Sequence, residues 1–183
     1  MNTKHLTSKL IAIVSLVGLT TVACSIEPTS DADEPVMGDD DENTSTAEGA
    51  LTQVQETDIR VRHSQIKHSG YSYNKSTRYN GQTLEGCANQ ELNGINNTRV
   101  WGHHPCNANK ARNLYAAAST SSVPATNFRN AINSWANSNG HRANIVNHSK
   151  VGCATRVGNQ TMCMNTFGAR FKYCRIYSCA YTN

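Results

Sequence analysis

Between positions 84 and 95 the apolar residues Leu84, Ala88, Leu92 and Ile95 recur at steps of four, four and three, with Cys87 beside them. That spacing collects them on one face and predicts an amphipathic helix of about three turns. A second stripe, Phe128, Ala131, Ile132 and Trp135, follows Thr126, a residue suited to capping, and ends near Asn139-Gly140. The stretch from Ile66 to Tyr79 is ambiguous, because Gly70 and the Ser and Tyr residues around it fit a helix poorly. After His148 the period changes. Val151 to Val157, then Thr161 to Phe167 across a Gly158-Asn159 turn, then Phe171 to Tyr181 read as antiparallel strands. Helices first and strands late, with cysteines bracing the strands, predict an α+β body without internal repeats.

Ahead of that body the pattern is different in kind. Lys4, His5 and Lys9 precede the apolar run Leu10 to Val22, which is too short to span a bilayer and reads as an export signal covering residues 1–24. The run ends Thr21-Val22-Ala23-Cys24, small residues followed by a cysteine, which is similar to the lipobox of bacterial lipoproteins. Cys24 is thereby a candidate lipid anchor in a cell envelope, with Thr21 standing where Leu is usual. Ordinary signal-peptidase cleavage after Ala23, giving a secreted protein, is the alternative. Residues 25–57 hold ten Asp and Glu, no Lys, Arg or His, and scarcely any apolar periodicity, a composition that cannot offset chain entropy by burial and predicts a disordered acidic tether. A single domain is then expected over residues 58–183.

Charge and cysteines sharpen this division. The formal net charge is +4, yet residues 58–183 carry fifteen Lys and Arg against Asp58, Glu85 and Glu91 alone. The basic residues are spread along the chain and not interleaved with aromatics, so they point to anionic envelope polymers or lipid head groups and not to specific nucleic-acid binding. Seven cysteines are an odd number; assigning Cys24 to lipid leaves Cys87, Cys106, Cys153, Cys163, Cys174 and Cys179, six in a compartment where disulfides persist. Their spacings do not supply the close pairs of a zinc ribbon, and fifteen pairings are open.

Ala131 to Val146 reads AINSWANSNGHRANIV, and Val151-Gly152-Cys153 follows, with Met164 to Gly168 further on. The set Trp135, Ser138, Gly140, His141, Arg142, Asn144, Ile145, Val151 and Gly152 resembles the CAP superfamily of cysteine-rich secretory, antigen 5 and pathogenesis-related proteins, in particular its bacterial SCP-like branch. Asn113-Leu114 with Ala116 to Ser119 is similar to that family's Gly-Glu-Asn-Ile/Leu segment, and Gly102-His103-His104 to the histidine before it, so the resemblance runs over roughly Tyr73 to Gly168. It implies an α-β-α sandwich with a three- to four-stranded antiparallel sheet. It also implies an open cleft in which two histidines and two acids face one another and can hold a divalent metal.

Carried over residue by residue, the first histidine is His104 or His103 and the second is His141. The two acidic positions fall at Arg112 and Ser138, and nothing in the spacing places Glu85 or Glu91 in the cleft. A guanidinium beside two imidazoles disfavours a cation, so no cofactor is expected, with a zinc-like ion on His104 and His141 as the alternative. Arg112, Asn113, Ser138 and the histidines together suit an anion held by charge-assisted hydrogen bonds. Ser138 and His141 lack a third group to orient a catalytic pair. The expected protein is therefore a monomeric, non-catalytic binder of a small hydrophobic or anionic ligand or an envelope polymer, lipid-anchored at the membrane. Its rival is a metal-dependent hydrolase of envelope material using the two cleft histidines.

Overall fold

In the computed structural model the described residues are 26–28, 51–106 and 111–183, so the segment expected to be an export signal, Cys24 and most of the acidic leader lie outside them. The body begins earlier than composition indicates. Helix α1 spans Gln53–Lys67, and Thr52 and Gln55 close a reciprocal capping box at its start. Leu51 and Ile59 are buried in the core. Residues 51–57 therefore belong to the folded body and not to a disordered tether; a polar run is held as a helix here by its cap and by tertiary packing. Ile26–Pro28 (β1), also within the supposed tether, pairs in parallel with Ala116–Ala118.

The remaining strands are β2 (Ser72–Tyr73), the hairpin β3 (Arg78–Tyr79) and β4 (Gln82–Thr83), β5 (Ala111–Ser119), β6 (Lys150–Val157) and β7 (Tyr173–Thr182). β5, β7 and β6 pair antiparallel and β2 pairs parallel with β6, a mixed sheet in the order β1-β5-β7-β6-β2. The other helices are α2 (Leu84–Thr98), α3 (Phe128–Ala136), α4 (Asn139–Val146) and α5 (Gln160–Phe167). Strand alternation divides the core in two. Tyr115, Cys153, Tyr177, Cys179 and Tyr181 join Ile59, Ile132, Trp135 and Ile145 on the face covered by α1, α3 and α4. Leu114, Ala116, Ala154 and Ile176 join Leu92, Ile95 and Met162 on the face covered by α2 and α5. The result is a three-layer α-β-α body of α+β class.

Two local readings are corrected. Thr161 to Phe167 is helix α5 and not a strand: Asn159 caps Thr161 N at 2.9 Å, and Met162 and Cys163 are buried side by side, whereas a strand would send neighbours to opposite faces. Asn127, not Thr126, caps α3, its side chain accepting from Asn130 N at 3.2 Å. β6 can lie against the first turn of α2 because position 152 has no side chain: a Cβ there would stand 2.4 Å from Glu85 N and 2.6 Å from the Leu84 carbonyl carbon.

The six body cysteines pair as Cys87–Cys106, Cys153–Cys179 and Cys163–Cys174. The second joins directly opposed residues of β6 and β7, the third ties α5 to β7, and the first ties α2 to the segment ahead of β5. Three bridges suggest an oxidising, extracytoplasmic environment. Among the described residues no helix is long and apolar enough to cross a membrane.

Candidate functional site

Arg112 and Asn113 open β5 and, as neighbours on a strand, leave the sheet on opposite faces. Each meets a different helix. On the α2 face Arg112 Nη1 lies 3.1 Å from Oε1 of Glu91, a carboxylate with no solvent exposure. The same oxygen accepts from His103 Nδ1 at 2.6 Å, and Oε2 accepts from the buried Ser178 hydroxyl on β7. Arg112 also donates to the carbonyl of His104. A buried carboxylate is tolerated only when charge and hydrogen bonds compensate it, and Arg112, His103 and Ser178 supply both.

On the α4 face Asn113 is fully buried. Its Nδ2 donates to the His141 carbonyl at 3.0 Å and to the Tyr181 hydroxyl at 3.1 Å, and its Oδ1 accepts from Asn144 at 2.8 Å. Tyr181 continues inward to His63 Nε2 at 3.1 Å, and His63 Nδ1 donates to the Ile59 carbonyl at 2.7 Å. This chain of bonds fixes the back of α4. At its front, Ser138 occupies the N-cap position of α4 but leaves the backbone uncapped and bonds His141 Nδ1 at 2.9 Å instead. His141 is 5% exposed, and burial first, then the charge of His103, lowers its proton affinity.

Of the residues singled out by sequence, His103, Arg112, Ser138 and His141 therefore gather around the opening of β5, and His103 is near enough to act electrostatically on His141. His104 belongs elsewhere: its ring packs on Gly94 of α2, where a Cβ would stand 2.6 Å from its Cγ. Of the two neighbouring histidines it is His103 that bonds Glu91. Asn113 is a buried cross-brace and not a ligand-facing group. Arg112 is not the free guanidinium of an anion receptor, since Glu91 matches its charge and stands between it and His103. Glu91 and Ser178 were not foreseen. Glu91 occupies one face of the Leu84 helix with Cys87, Ala88, Leu92 and Ile95, all buried, and a carboxylate inside an apolar stripe is the signal that identifies it.

The donors of this site are largely engaged by the protein itself. Both oxygens of Glu91 accept from protein partners and both Nδ1 atoms are bonded, so the Nε2 atoms of His103 and His141 are the imidazole nitrogens of the site without a protein partner among the described residues. Among the described residues no three His, Cys, Asp or Glu are grouped to hold a metal. What the arrangement can do is present two oriented imidazoles at the rim of the sheet, one 37% exposed on its side chain and one almost enclosed.

No family model matches the chain, and comparisons with curated proteins and with solved structures find no match either.

Proposed function

We propose that the chain is an exported CAP-superfamily protein, anchored through lipid on Cys24, whose body binds a ligand or partner without catalysing a reaction. The carrying observation is that Glu91 is spent on Arg112, His103 and Ser178. A general base or metal ligand needs a lone pair aimed at its task, and three of the roughly four acceptor positions of the Glu91 carboxylate are turned to Arg112, His103 and Ser178, so it serves first to hold the site together. Two imidazole Nε2 groups then meet the ligand, His103 from the exposed side and His141 from the enclosed side. They suit a molecule with an acceptor-bearing or acidic head group and an apolar remainder, such as an envelope lipid or peptide. The α-β-α layering supports the family reading, and the excess of basic residues in the body supports an anionic envelope setting.

The test is native mass spectrometry of protein purified from envelope extracts, alongside metal analysis. A co-purifying organic molecule lost in His103→Ala or His141→Ala is the expected result. Stoichiometric zinc lost in His141→Ala would overturn the reading in favour of a metal-dependent hydrolase.

A further inference from the structure

We propose that the Cys87–Cys106 bridge is a redox catch on this site: closed, it holds His103 against Glu91; opened by a dithiol, it releases that histidine while the body stays folded. The consequence for ligand binding rests on the binding role proposed above. Cys87 precedes Glu91 by one turn of α2, and Cys106 follows His103 by three residues. One bridge therefore joins the helix that carries the carboxylate to the segment that carries its partner.

That segment has no helix or strand of its own. Among the described residues, 100–106 make no backbone-to-backbone hydrogen bond outside helices and strands. Trp101 packs against the α2 and α5 core at one end, and at the other end side chains hold it: the bridge, the packing of Cys106 on Leu84 and Ala180, the His103–Glu91 bond, the Arg112 contact with the His104 carbonyl, and the His104 ring on Gly94. The three bridges also differ in access. Cys153, Cys179, Cys163, Cys174 and Cys87 are all 0% exposed, while Cys106 is only partly buried.

Thiol–disulfide exchange requires a thiolate to reach a sulfur. A dithiol attacks Cys106 Sγ, the Sγ–Sγ bond breaks, and Cys87 leaves as a thiolate that takes up a proton. The second thiol of the reductant then displaces Cys106 and closes its own disulfide. Two cysteine thiols and one oxidised dithiol result. Local release is possible because the other two bridges lie inside the sheet and α5, whose opening requires wider unfolding.

The full chain is titrated with dithiothreitol, trapped by alkylation and mapped by mass spectrometry, while nitrogen NMR follows the imidazoles. Cys87–Cys106 is expected to open at roughly tenfold less reductant than either other bridge. At that point His103 loses the signature of an Nδ1 proton bonded to carboxylate, and His63 and His141 keep theirs. A Cys87→Ser, Cys106→Ser double variant is expected to fold and to show the released His103 spectrum without reductant. Opening of a sheet or α5 bridge first, an unchanged His103 after Cys87–Cys106 has opened, or failure of the double variant to fold would each overturn the proposal. The imidazole readout needs no ligand, so failure of the binding reading leaves this test intact.

Discussion

The charge of His103 bears on His141, yet the two rings are held by supports of different kinds. His141 sits on α4, with Ser138 on its Nδ1 and a fully buried network behind its carbonyl running through Asn113, Tyr181 and His63 to α1. His103 sits on a segment without regular structure, fastened by side-chain contacts among which are one carboxylate and one disulfide. The first support is part of the core and its failure is the failure of the fold. The second is an attachment, and it can be loosened separately. A site built in this way has one wall set by folding and one set by local bonds.

Removing the carboxylate gives the largest expected effect. Glu91→Gln leaves the guanidinium of Arg112, 21% exposed, beside a neutral amide in a place desolvated for an ion pair. Breaking such a pair from one side costs about 3–5 kcal/mol. Urea unfolding should lose that much, and the His103 bond should be lost with it. A loss under about 1 kcal/mol would mean that Glu91 is not the anchor of the His103 segment.

The fixed wall is probed by acid. Burial, only partly opposed by the bond to the Ile59 carbonyl, pulls the proton affinity of His63 from the ordinary 6.5 down to about 4. The folded state keeps this ring neutral, while the unfolded chain protonates it below 6.5, so its contribution is complete above 6.5 and is lost as pH falls toward 4. Over that window His63 alone removes about 3 kcal/mol of stability, and His141, also shifted down, acts in the same direction. His63→Phe should lower the baseline, because it leaves the Tyr181 hydroxyl short of a partner, but flatten the slope between pH 6.5 and 4. An unchanged slope would show that His63 titrates as it does in water.

Much of the scaffold was legible and the site only half so, for one physical reason. The stripes of α2 and α3 announce themselves because each helix buries a single apolar face. Ala111–Ser119 does not: it is buried on both faces, so Leu114 to Ala118 form a continuous apolar run without alternation, and the strand went unread. With it went the one fact that separates Arg112 from Asn113, since only a strand sends them to opposite faces. The Asn80-Gly81 pair, both at positive φ in the hairpin turn, was a second unread signal. Glu91 was visible in the sequence, but its position depends on Arg112, Ser178 and His103 converging from β5, β7 and a loop, and no local pattern encodes that convergence. The α1 cap shows the converse: Thr52 and Gln55 carry a capping-box pattern inside a stretch whose overall composition reads as disordered.

Gly94→Ala separates the two walls with the smallest change in stability. Gly94 lies inside α2, where alanine favours the helix by about 1 kcal/mol. Its new methyl, however, meets Cγ, Cβ and Nδ1 of His104 at 2.6, 2.8 and 2.8 Å, and although the ring can turn about χ1, Cβ cannot move aside without moving the backbone that bears it. The helix gains while the loop is pushed off it, so the unfolding free energy should change by less than about 1 kcal/mol. The imidazole spectra should nevertheless change unevenly, His104 and His103 shifting and His141 with its Ser138 bond staying in place. If His141 moves as far as His103, the two walls are mechanically one, and the distinction between a folded support and a fastened one does not hold for this site.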